Sequence, residues 1–236
     1  MKKSSWNTNS IKNNFSSSYY DYGSLNLYDH KLEEKILLNY IKEGSTCLDL
    51  AGGTGRFTEI LADNGCKVTL VDMEKNHIDA AKKRFDSKVV DCIEMEAIEF
   101  INTKKEKYDL IIISGLLLFL EKNSARNLLE EANKLLNIGG VIIIRDFISK
   151  KKNIKVKSKV FDNTFLYYRT EKFYSDLGAS GFIICRPLHL FPKIENYIFD
   201  KLGYFIYSHI QGNSLYKKIS WIPAKYENKM FVIGKL

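Results

Sequence analysis

The sequence lacks the patterns that mark several large classes of protein. Its 236 residues include only three prolines and four histidines. No apolar run approaches the roughly 20 residues of a membrane-spanning helix, since the longest, residues 110–120, is interrupted by a serine and a glycine. The N-terminus is charged but lacks the apolar segment of a signal peptide. These absences predict a cytoplasmic protein with no membrane span.

The cysteines do not form a metal or redox motif. There are four of them, far apart, with no C-x-x-C pair and no histidine at a zinc-ligand spacing. Each lies in or beside an apolar, strand-like segment, where a reduced thiol packs as a small apolar side chain. We therefore expect packed free thiols and no metal at Cys47, Cys66, Cys92 and Cys185.

Positive charge is concentrated in one part of the chain. The formal net charge is +8, yet residues 31–144 carry 16 basic and 19 acidic side chains, whereas residues 145–172 carry nine basic and three acidic ones. Residues 149–159 alone hold six lysines and no acid. A solvated loop is the favoured interpretation, and an acidic substrate or a nucleic acid is the alternative.

Between residues 29 and 146, apolar strands alternate with amphipathic helices. Strands are predicted at residues 46–51, 67–72, 88–90, 108–114 and 140–146, and helices at 29–44, 56–65, 75–85, 94–104 and 122–140. Continuous apolar strands separated by helices are typical of a parallel sheet that is covered on both faces. The fold class is therefore α/β, a doubly wound, seven-stranded and mostly parallel sheet with helices on both faces.

The rest of the chain is assigned to the same domain and to its coverings. A helix–strand unit at 170–187 and an apolar end at 229–236 supply the sixth and seventh strands. Residues 1–28 are interpreted as a mobile N-terminal arm, and 29–236 as a single domain. Residues 147–169 and 188–228, rich in aromatic side chains, are interpreted as insertions in that domain.

A glycine turn follows the first strand in the segment DLAGGTGRF, residues 49–57. It does not match the dinucleotide fingerprint, because Thr58 stands where the third glycine belongs, and it lacks the Gly-Lys-Ser/Thr of a Walker A loop. The second strand ends in Asp72, seventeen residues beyond Gly55. An acid there is placed to accept hydrogen bonds from a ribose diol.

Five segments in order carry a resemblance to a known family. They are CLDLAGGTGRF, VTLVDM, VVDC, YDLIIISGLLLFL and LLNIGGVIIIRDF. Their order and spacing resemble those of the class I S-adenosylmethionine-dependent methyltransferases over about residues 30–187. The form DLAGGTG is also similar to that of the ubiquinone and menaquinone C-methyltransferases, although the rest of the chain does not follow them closely. Ala51 stands at the first glycine of the family, where a small alanine should be tolerated if its backbone stays at negative φ.

The resemblance implies a cofactor site for S-adenosyl-L-methionine and its product S-adenosyl-L-homocysteine. Asp49 orders the methionine amino group and Asp72 takes the ribose hydroxyls. Met73 packs on the adenine face, Asp91 accepts from the adenine amino group, and the Cys92 amide donates to the ring. The backbone of the turn and of the fourth strand end completes the site through Ala51, Gly52, Gly53, Gly55 and Ser114. Helix caps for the two acids at 49 and 72, a turn for Asp91 and core packing for Met73 are the structural alternatives.

The acceptor side is less defined. Many small-molecule enzymes of this family place a histidine after the fourth strand, where this chain has only Leu and Phe. Asp146 is the candidate for a catalytic role at the end of the fifth strand. The resemblance implies a substrate lid that comes from the N-terminal arm, residues 1–28, and from the region after strand 5, with 147–169 and 188–228 as substrate-cap insertions. Tyr19 and Tyr22 are candidates to close over the sulfonium, and Arg169 is a candidate to pair with an anionic substrate.

The function expected from these features is N- or O-methylation of a small molecule, aromatic or anionic, by in-line transfer. An RNA or other nucleic-acid methyltransferase and a peptide amine methyltransferase are the alternatives. The first is disfavoured because the chain has no Asn/Asp-Pro-Pro-aromatic motif and no Pro-Cys nucleophile. A binding protein that has lost transfer is a third class, which the acids at 49, 72 and 91 disfavour.

Overall fold

A computed structural model describes residues 24–158, 163–182 and 226–234, with side chains for 31–158, 163–181 and 229–234. Seven strands form one sheet: β1 (Thr46–Leu50), β2 (Lys67–Asp72), β3 (Val90–Glu94), β4 (Tyr108–Ser114), β5 (Leu136–Ser149), β8 (Ser180–Phe182) and β9 (Tyr226–Gly234). Their order across the sheet is β3-β2-β1-β4-β5-β9-β8.

The connections contain the helices and one additional hairpin. The helices are α1 (Ser24–Leu37), α2 (Arg56–Asp63), α3 (Lys75–Arg84), α4 (Ala97–Thr103), α5 (Lys122–Lys134) and α6 (Glu171–Ser175). A single 3₁₀ turn (Leu117–Phe119) lies between β4 and α5, and an antiparallel hairpin of β6 (Ile154–Lys157) and β7 (Phe165–Tyr168) follows β5. None of these helices is long and apolar enough to cross a membrane.

The sheet confirms the predicted fold class. The first five strands are parallel, and β9 runs antiparallel between β5 and β8. The central strands are buried on both faces, which is why they appear in the sequence as continuous apolar runs. Because the first five strands are parallel, their carboxyl ends meet at one edge, which we call the carboxyl edge.

Two apolar cores lie on opposite faces of the sheet. On one face, helices α1, α2 and α3 pack through side chains such as Leu37, Leu61 and Ile78. On the other face, α4, α5 and α6 pack through side chains such as Phe100 and Leu129. Both layers are anchored by fully buried residues of the central strands, so the carboxyl edge is held by packing from both sides.

Several predicted boundaries were wrong, among them the end of the helix predicted at 122–140, which stops at Lys134. Helix α1 spans Ser24–Leu37 rather than 29–44, and β3 spans Val90–Glu94 rather than 88–90. Strand β5 spans Leu136–Ser149 rather than 140–146. It continues past residue 146 because β9 pairs with it over nine positions, up to Ser149 opposite Tyr226. The partner strand lies some 80 residues farther along the chain, so local sequence could not show this extension.

Some predictions lie outside the described residues. Tyr19 and Tyr22 belong to this group, as do most of the predicted caps 1–28 and 188–228. The cap predicted at 147–169 is described except for residues 159–162. It consists of the end of β5 and the β6–β7 hairpin.

Candidate functional site

The glycine turn connects β1 to α2 at the carboxyl edge. The Gly52 amide donates to the Val71 carbonyl oxygen at 3.1 Å, and the Gly55 amide donates to that of Gly52 at 3.0 Å. Gly55 caps α2 with a φ of 87°, and Gly53 has a φ of 61°. Ala51 has a φ of 58°, so its backbone does not keep the negative φ that would let an alanine fit without strain. An alanine with this backbone is strained, because its Cβ crowds the following carbonyl.

Asp49 is fully buried beneath this turn. Its Oδ2 accepts hydrogen bonds from the Thr58 amide at 3.1 Å and from Thr58 Oγ1 at 2.7 Å. Its Oδ1 is buried and has no hydrogen-bond partner among the residues that the structure describes. Burial raises the pKa of Asp49 to about 6, although the two bonds from Thr58 act in the opposite direction. A buried carboxylate oxygen without a donor is suited to a cationic ligand.

Gly52 lies against the Asp49 carboxylate. A Cβ at this position would lie 2.7 Å from Asp49 Cγ and 2.8 Å from its Oδ2. These separations are too short for any side chain, so only glycine allows the turn to pass directly over the carboxylate. The turn and Asp49 thus form one packed unit.

Asp72 ends β2 and organises the neighbouring loop. Its Oδ2 accepts from the Gly53 amide at 2.8 Å, and its Oδ1 accepts from the Glu74 amide at 2.9 Å. His77 Nδ1 lies 3.1 Å from the same Oδ1. The hydrogen bond with Asp72 raises the pKa of His77, while burial opposes that rise. Asp72 therefore links the glycine turn to the start of α3.

Two further features line the carboxyl edge beside Asp72. Met73 is 39% exposed although it is a large apolar side chain, which leaves its surface open to a ligand. At the end of β4, Ser114 is half-buried, and the Gly115 amide donates to the Arg145 carbonyl oxygen at 2.8 Å. Gly115 has a φ of 71°, and a Cβ there would meet nothing within 4 Å.

Asp91 and Cys92 do not lie at the carboxyl edge. Strand β3 begins at Val90, and Asp91 is paired with Thr69, whereas Glu94 is paired with Asp72 at the edge. Asp91 is thus three residues, or about 10 Å, from that edge. The prediction that β3 ends before Asp91 was wrong. Glu96 is the acid that follows the strand, and its carboxylate caps α4 by accepting from the Glu99 amide at 2.9 Å.

Asp146 is buried inside β5 rather than exposed at its end. It is 0% exposed, its Oδ1 accepts from the Phe147 amide at 2.9 Å, and its Oδ2 accepts from the Tyr174 hydroxyl at 2.6 Å. Burial raises the pKa of Asp146 to about 6. Tyr174 is equally buried and stacks on Phe231 of β9. These contacts hold the Asp146 carboxylate in the core.

Arg169 also has a different environment from the predicted one. It is 3% exposed, and its guanidinium donates to the carbonyl oxygens of Leu117, at 2.7 Å, and Leu120. Arg169 therefore clamps the 3₁₀ turn after β4 to the end of the β6–β7 hairpin. The two terminal nitrogens of Arg169 make these hydrogen bonds, so Nε is the nitrogen that remains to donate to another group.

The structure also shows contacts that the sequence did not predict. Glu33 of α1 is fully buried and pairs with Arg56, which follows the glycine turn, and with Arg145 of β5, at 3.0 Å from its Nε. Thr58 and His77 are the other unpredicted residues. A signal for Thr58 was present, since it replaces the third glycine of the common fingerprint. Glu33 gave no local signal, because its partners are 23 and 112 residues away.

Comparisons with known proteins agree with this geometry. A family model described as "Methyltransferase domain" matches residues 41–189. The ubiquinone/menaquinone biosynthesis C-methyltransferase of Hydrogenovibrio crunogenus is 26% identical over 175 residues, which cover 70% of this chain and 68% of that protein.

Solved structures show the same fold at low identity. A SAM-dependent methyltransferase from Archaeoglobus fulgidus has a TM-score of 0.63 at 15% identity, over 94% of this chain and 99% of its own. The 1,6-didemethyltoxoflavin-N1-methyltransferase of Burkholderia thailandensis, bound to 1,6-didemethyltoxoflavin and S-adenosylhomocysteine, has a TM-score of 0.59 at 15% identity, over 96% of this chain and 88% of its own.

Proposed function

The chain belongs to the class I S-adenosylmethionine-dependent methyltransferases, and on that premise we propose that it methylates a small molecule at nitrogen or oxygen. The cofactor is S-adenosyl-L-methionine. The proposal concerns the acceptor and the residues that act on each side of the transfer.

The observation that supports the cofactor site best is the unpaired, buried Oδ1 of Asp49. We propose that it accepts a hydrogen bond from the methionine amino group, with the Ala51–Gly55 backbone along the ligand and Ser114 at the methionine end. Gly53 leaves open space, since a Cβ there would meet no atom of the described residues within 4 Å. The residues therefore fit a bulky, cationic ligand.

On the adenosine side, Asp72 is proposed for the ribose hydroxyls and Met73 for one face of adenine. A carboxylate has about four acceptor positions, and Asp72 uses three of them on Gly53, Glu74 and His77. A ribose hydroxyl therefore takes the remaining position or replaces one of these donors. We propose Glu96 in place of Asp91 as the acid nearest to adenine, because it follows β3 at the carboxyl edge.

Bound in this site, S-adenosylmethionine supplies an electrophilic methyl group. The chain's own part is to hold the acceptor in line and to exclude water. Leu117 and Leu118 of the turn after β4 are buried apolar side chains, and residues 115–120 include no titratable group. Asp146 is engaged by Tyr174. This apolar setting favours a neutral amine acceptor, which needs no proton removed before it attacks, over a hydroxyl.

The β6–β7 hairpin is proposed as part of the substrate cap, because Arg169 fixes its end to the turn that follows β4. The lid roles of Tyr19 and Tyr22 stay predictions. The buried free thiols of Cys47, Cys66 and Cys92 support the predicted cytoplasmic location. A second candidate reaction is transfer to carbon, which the Hydrogenovibrio relative favours.

The test is a transfer assay with methyl-labelled S-adenosylmethionine and four sets of acceptors: small amines, phenols, quinols and total RNA. We expect label in a small amine together with release of S-adenosylhomocysteine. The matched control is Asp49→Asn, which should lose cofactor binding and transfer together. Label in RNA or in protein, with none in any small molecule, would overturn the acceptor class while leaving the cofactor assignment intact.

A further inference from the structure

A basic cleft lies between the start of α5, the β6–β7 hairpin and α6. Its volume is about 360 Å³. The cationic side chains that line it are Lys122, Arg126, Lys155, Arg169 and Lys172. They come from separate segments of the chain, so the fold, and not a single charged run, brings them together.

The two cations of α5 stand at the unfavourable end of that helix. Lys122 and Arg126 lie in its first two turns, and neither forms an ion pair among the described residues. The N-cap residue Glu121 is an acid, but its side chain makes no cap hydrogen bond and is directed to Tyr167. The amino end of a helix is electrically positive, so cations there repel the helix dipole. The arrangement becomes favourable when an external anion occupies the cleft.

A second, independent observation concerns Arg169, which also lines the cleft. This side chain is 97% buried, given its exposure of 3%, and its Nε has no hydrogen-bond partner among the residues that the structure describes. The buried Asp146 carboxylate offsets part of its charge, and the Tyr174 hydroxyl also interacts with its side chain. Nε itself is left without an acceptor, so it fits a ligand that accepts hydrogen bonds.

The acidic groups near the cleft limit what that ligand is. Asp176 pairs with Lys172 at 2.7 Å, and Glu121 accepts from the Tyr167 hydroxyl at 2.9 Å and lies 3.9 Å from Lys155. These carboxylates interrupt the positive surface that an extended polyanion would need. The lining also includes Ile154, Tyr168 and Phe173, which suit an apolar or aromatic portion of a small molecule.

We propose that this cleft binds the phosphate group of a small molecule. A phosphate presents three oxygens to donors that converge from several sides, whereas a carboxylate presents only two. The planar guanidinium of Arg126 matches phosphate geometry. The proposal does not depend on which acceptor is methylated, because the cleft shares no residue with the cofactor site.

The experiment is calorimetric titration of the full chain with inorganic phosphate and with phenyl phosphate, at constant ionic strength. We expect saturable binding that weakens about tenfold in Arg126→Gln and in Lys122→Gln, because each change removes a charged hydrogen-bond donor. The matched control is Lys83→Gln, an equal charge change on α3, which should have no effect. Tighter binding of phenyl phosphate identifies an organic phosphate, and equal binding identifies the free ion; either supports the site.

S-adenosylhomocysteine titrated into the same samples separates this proposal from the proposed function. Its binding should be the same in all three variants, which also shows that they are folded. Absence of saturable phosphate binding alongside normal S-adenosylhomocysteine binding would overturn the cleft alone. Equal weakening of phosphate binding by Lys83→Gln would also overturn it. So would a protein that binds neither phosphate but binds a single-stranded oligonucleotide tightly, if that binding is lost in Arg126→Gln.

Discussion

The Gly53 amide donates a hydrogen bond of 2.8 Å to Asp72 Oδ2, joining the turn after β1 to the end of β2. The two residues are 19 positions apart, and the bond fixes the carboxylate against the turn on which the cofactor is proposed to lie. Asp72 therefore has a structural role even without ligand. The effect of an Asp72 substitution on protein stability therefore has to be measured separately from its effect on cofactor affinity.

We predict that Asp72→Asn weakens S-adenosylhomocysteine binding by about 2 kcal/mol, because the ribose hydroxyls lose a charged acceptor. Asn keeps the size of the side chain and one acceptor oxygen. Asp79→Asn on α3, which removes an exposed partner of Lys75, is the matched control and should leave affinity unchanged. Calorimetry measures both. Unchanged affinity in a folded Asp72→Asn protein would refute the ribose assignment.

Cofactor affinity should depend on pH through Asp49. Its pKa is about 6 in the free protein, so the carboxylate that pairs with the cationic amino group is lost below that pH. We expect affinity to fall as the pH decreases, approaching about tenfold per pH unit well below 6.

Thr58→Val removes the Oγ1 hydrogen bond to Asp49, so it should raise the midpoint of this profile by about one pH unit. Thr103→Val, which removes a hydroxyl at an exposed helix end, is the control. Cofactor affinity that does not change between about pH 5 and pH 8, a range from about one unit below the pKa of Asp49 to about two units above it, would contradict the role given to Asp49.

Gly52→Ala should abolish cofactor binding, because its Cβ would lie 2.7 Å from Asp49 Cγ and displace the carboxylate or the turn. Gly44→Ala provides the contrast. Gly44 has a φ of 80° with nothing within 4 Å of a Cβ, so alanine there adds backbone strain but no clash. We expect Gly44→Ala to lower the melting temperature and to keep its affinity for S-adenosylhomocysteine. Normal affinity in Gly52→Ala would show that Asp49 is not held as described.

Ala51→Gly should stabilise the protein by about 0.5–1 kcal/mol, as relief of left-handed strain exceeds the entropy that glycine adds to the unfolded chain. The same substitution in a helix, Ala62→Gly in α2, should destabilise by a similar amount. Denaturant unfolding gives both values. Destabilisation of equal size at the two positions would exclude strain at Ala51.

Tyr174→Phe should destabilise the fold without changing cofactor affinity. Burial raises the pKa of Asp146 above its unfolded value, so the stability from its protonated form is present at low pH and is lost as pH rises through about 6. Without the Tyr174 hydroxyl, the ionised carboxylate loses a donor, and we expect a loss of about 1–3 kcal/mol at neutral pH and less at pH near 5. Tyr40→Phe is the control. An equal loss at both pH values would argue against an ionised Asp146.

The sequence was sufficient where the determining interactions are local or repeated. Alternating helices and apolar strands predicted the sheet, and the glycine turn with Asp49 and Asp72 predicted the place of the cofactor site. Asp91 misled because β3 is an edge strand, in which alternate positions face solvent and tolerate a charge. In an edge strand, a charged residue such as Asp91 therefore does not mark the end of the strand.

Asp146 and Arg169 could not be interpreted from local sequence for a different reason. Each is a charged residue that long-range packing buries: Asp146 when β9 extends β5, and Arg169 when the hairpin meets the turn after β4. Their hydrogen-bond partners are 28 and about 50 residues away. A charged side chain in an aromatic segment suggests a substrate contact until those partners are known.

The buried Glu33 makes α1 an integral part of the catalytic domain. Cleavage of the chain within α1 would remove the Glu33 carboxylate from the buried guanidinium of Arg145, which is far more costly than losing a surface helix. Loss of α1 should therefore unfold the whole domain in a single cooperative step. Cofactor binding, which stabilises the turn next to Arg56, should in turn slow proteolysis and amide exchange in α1, far from the ligand itself.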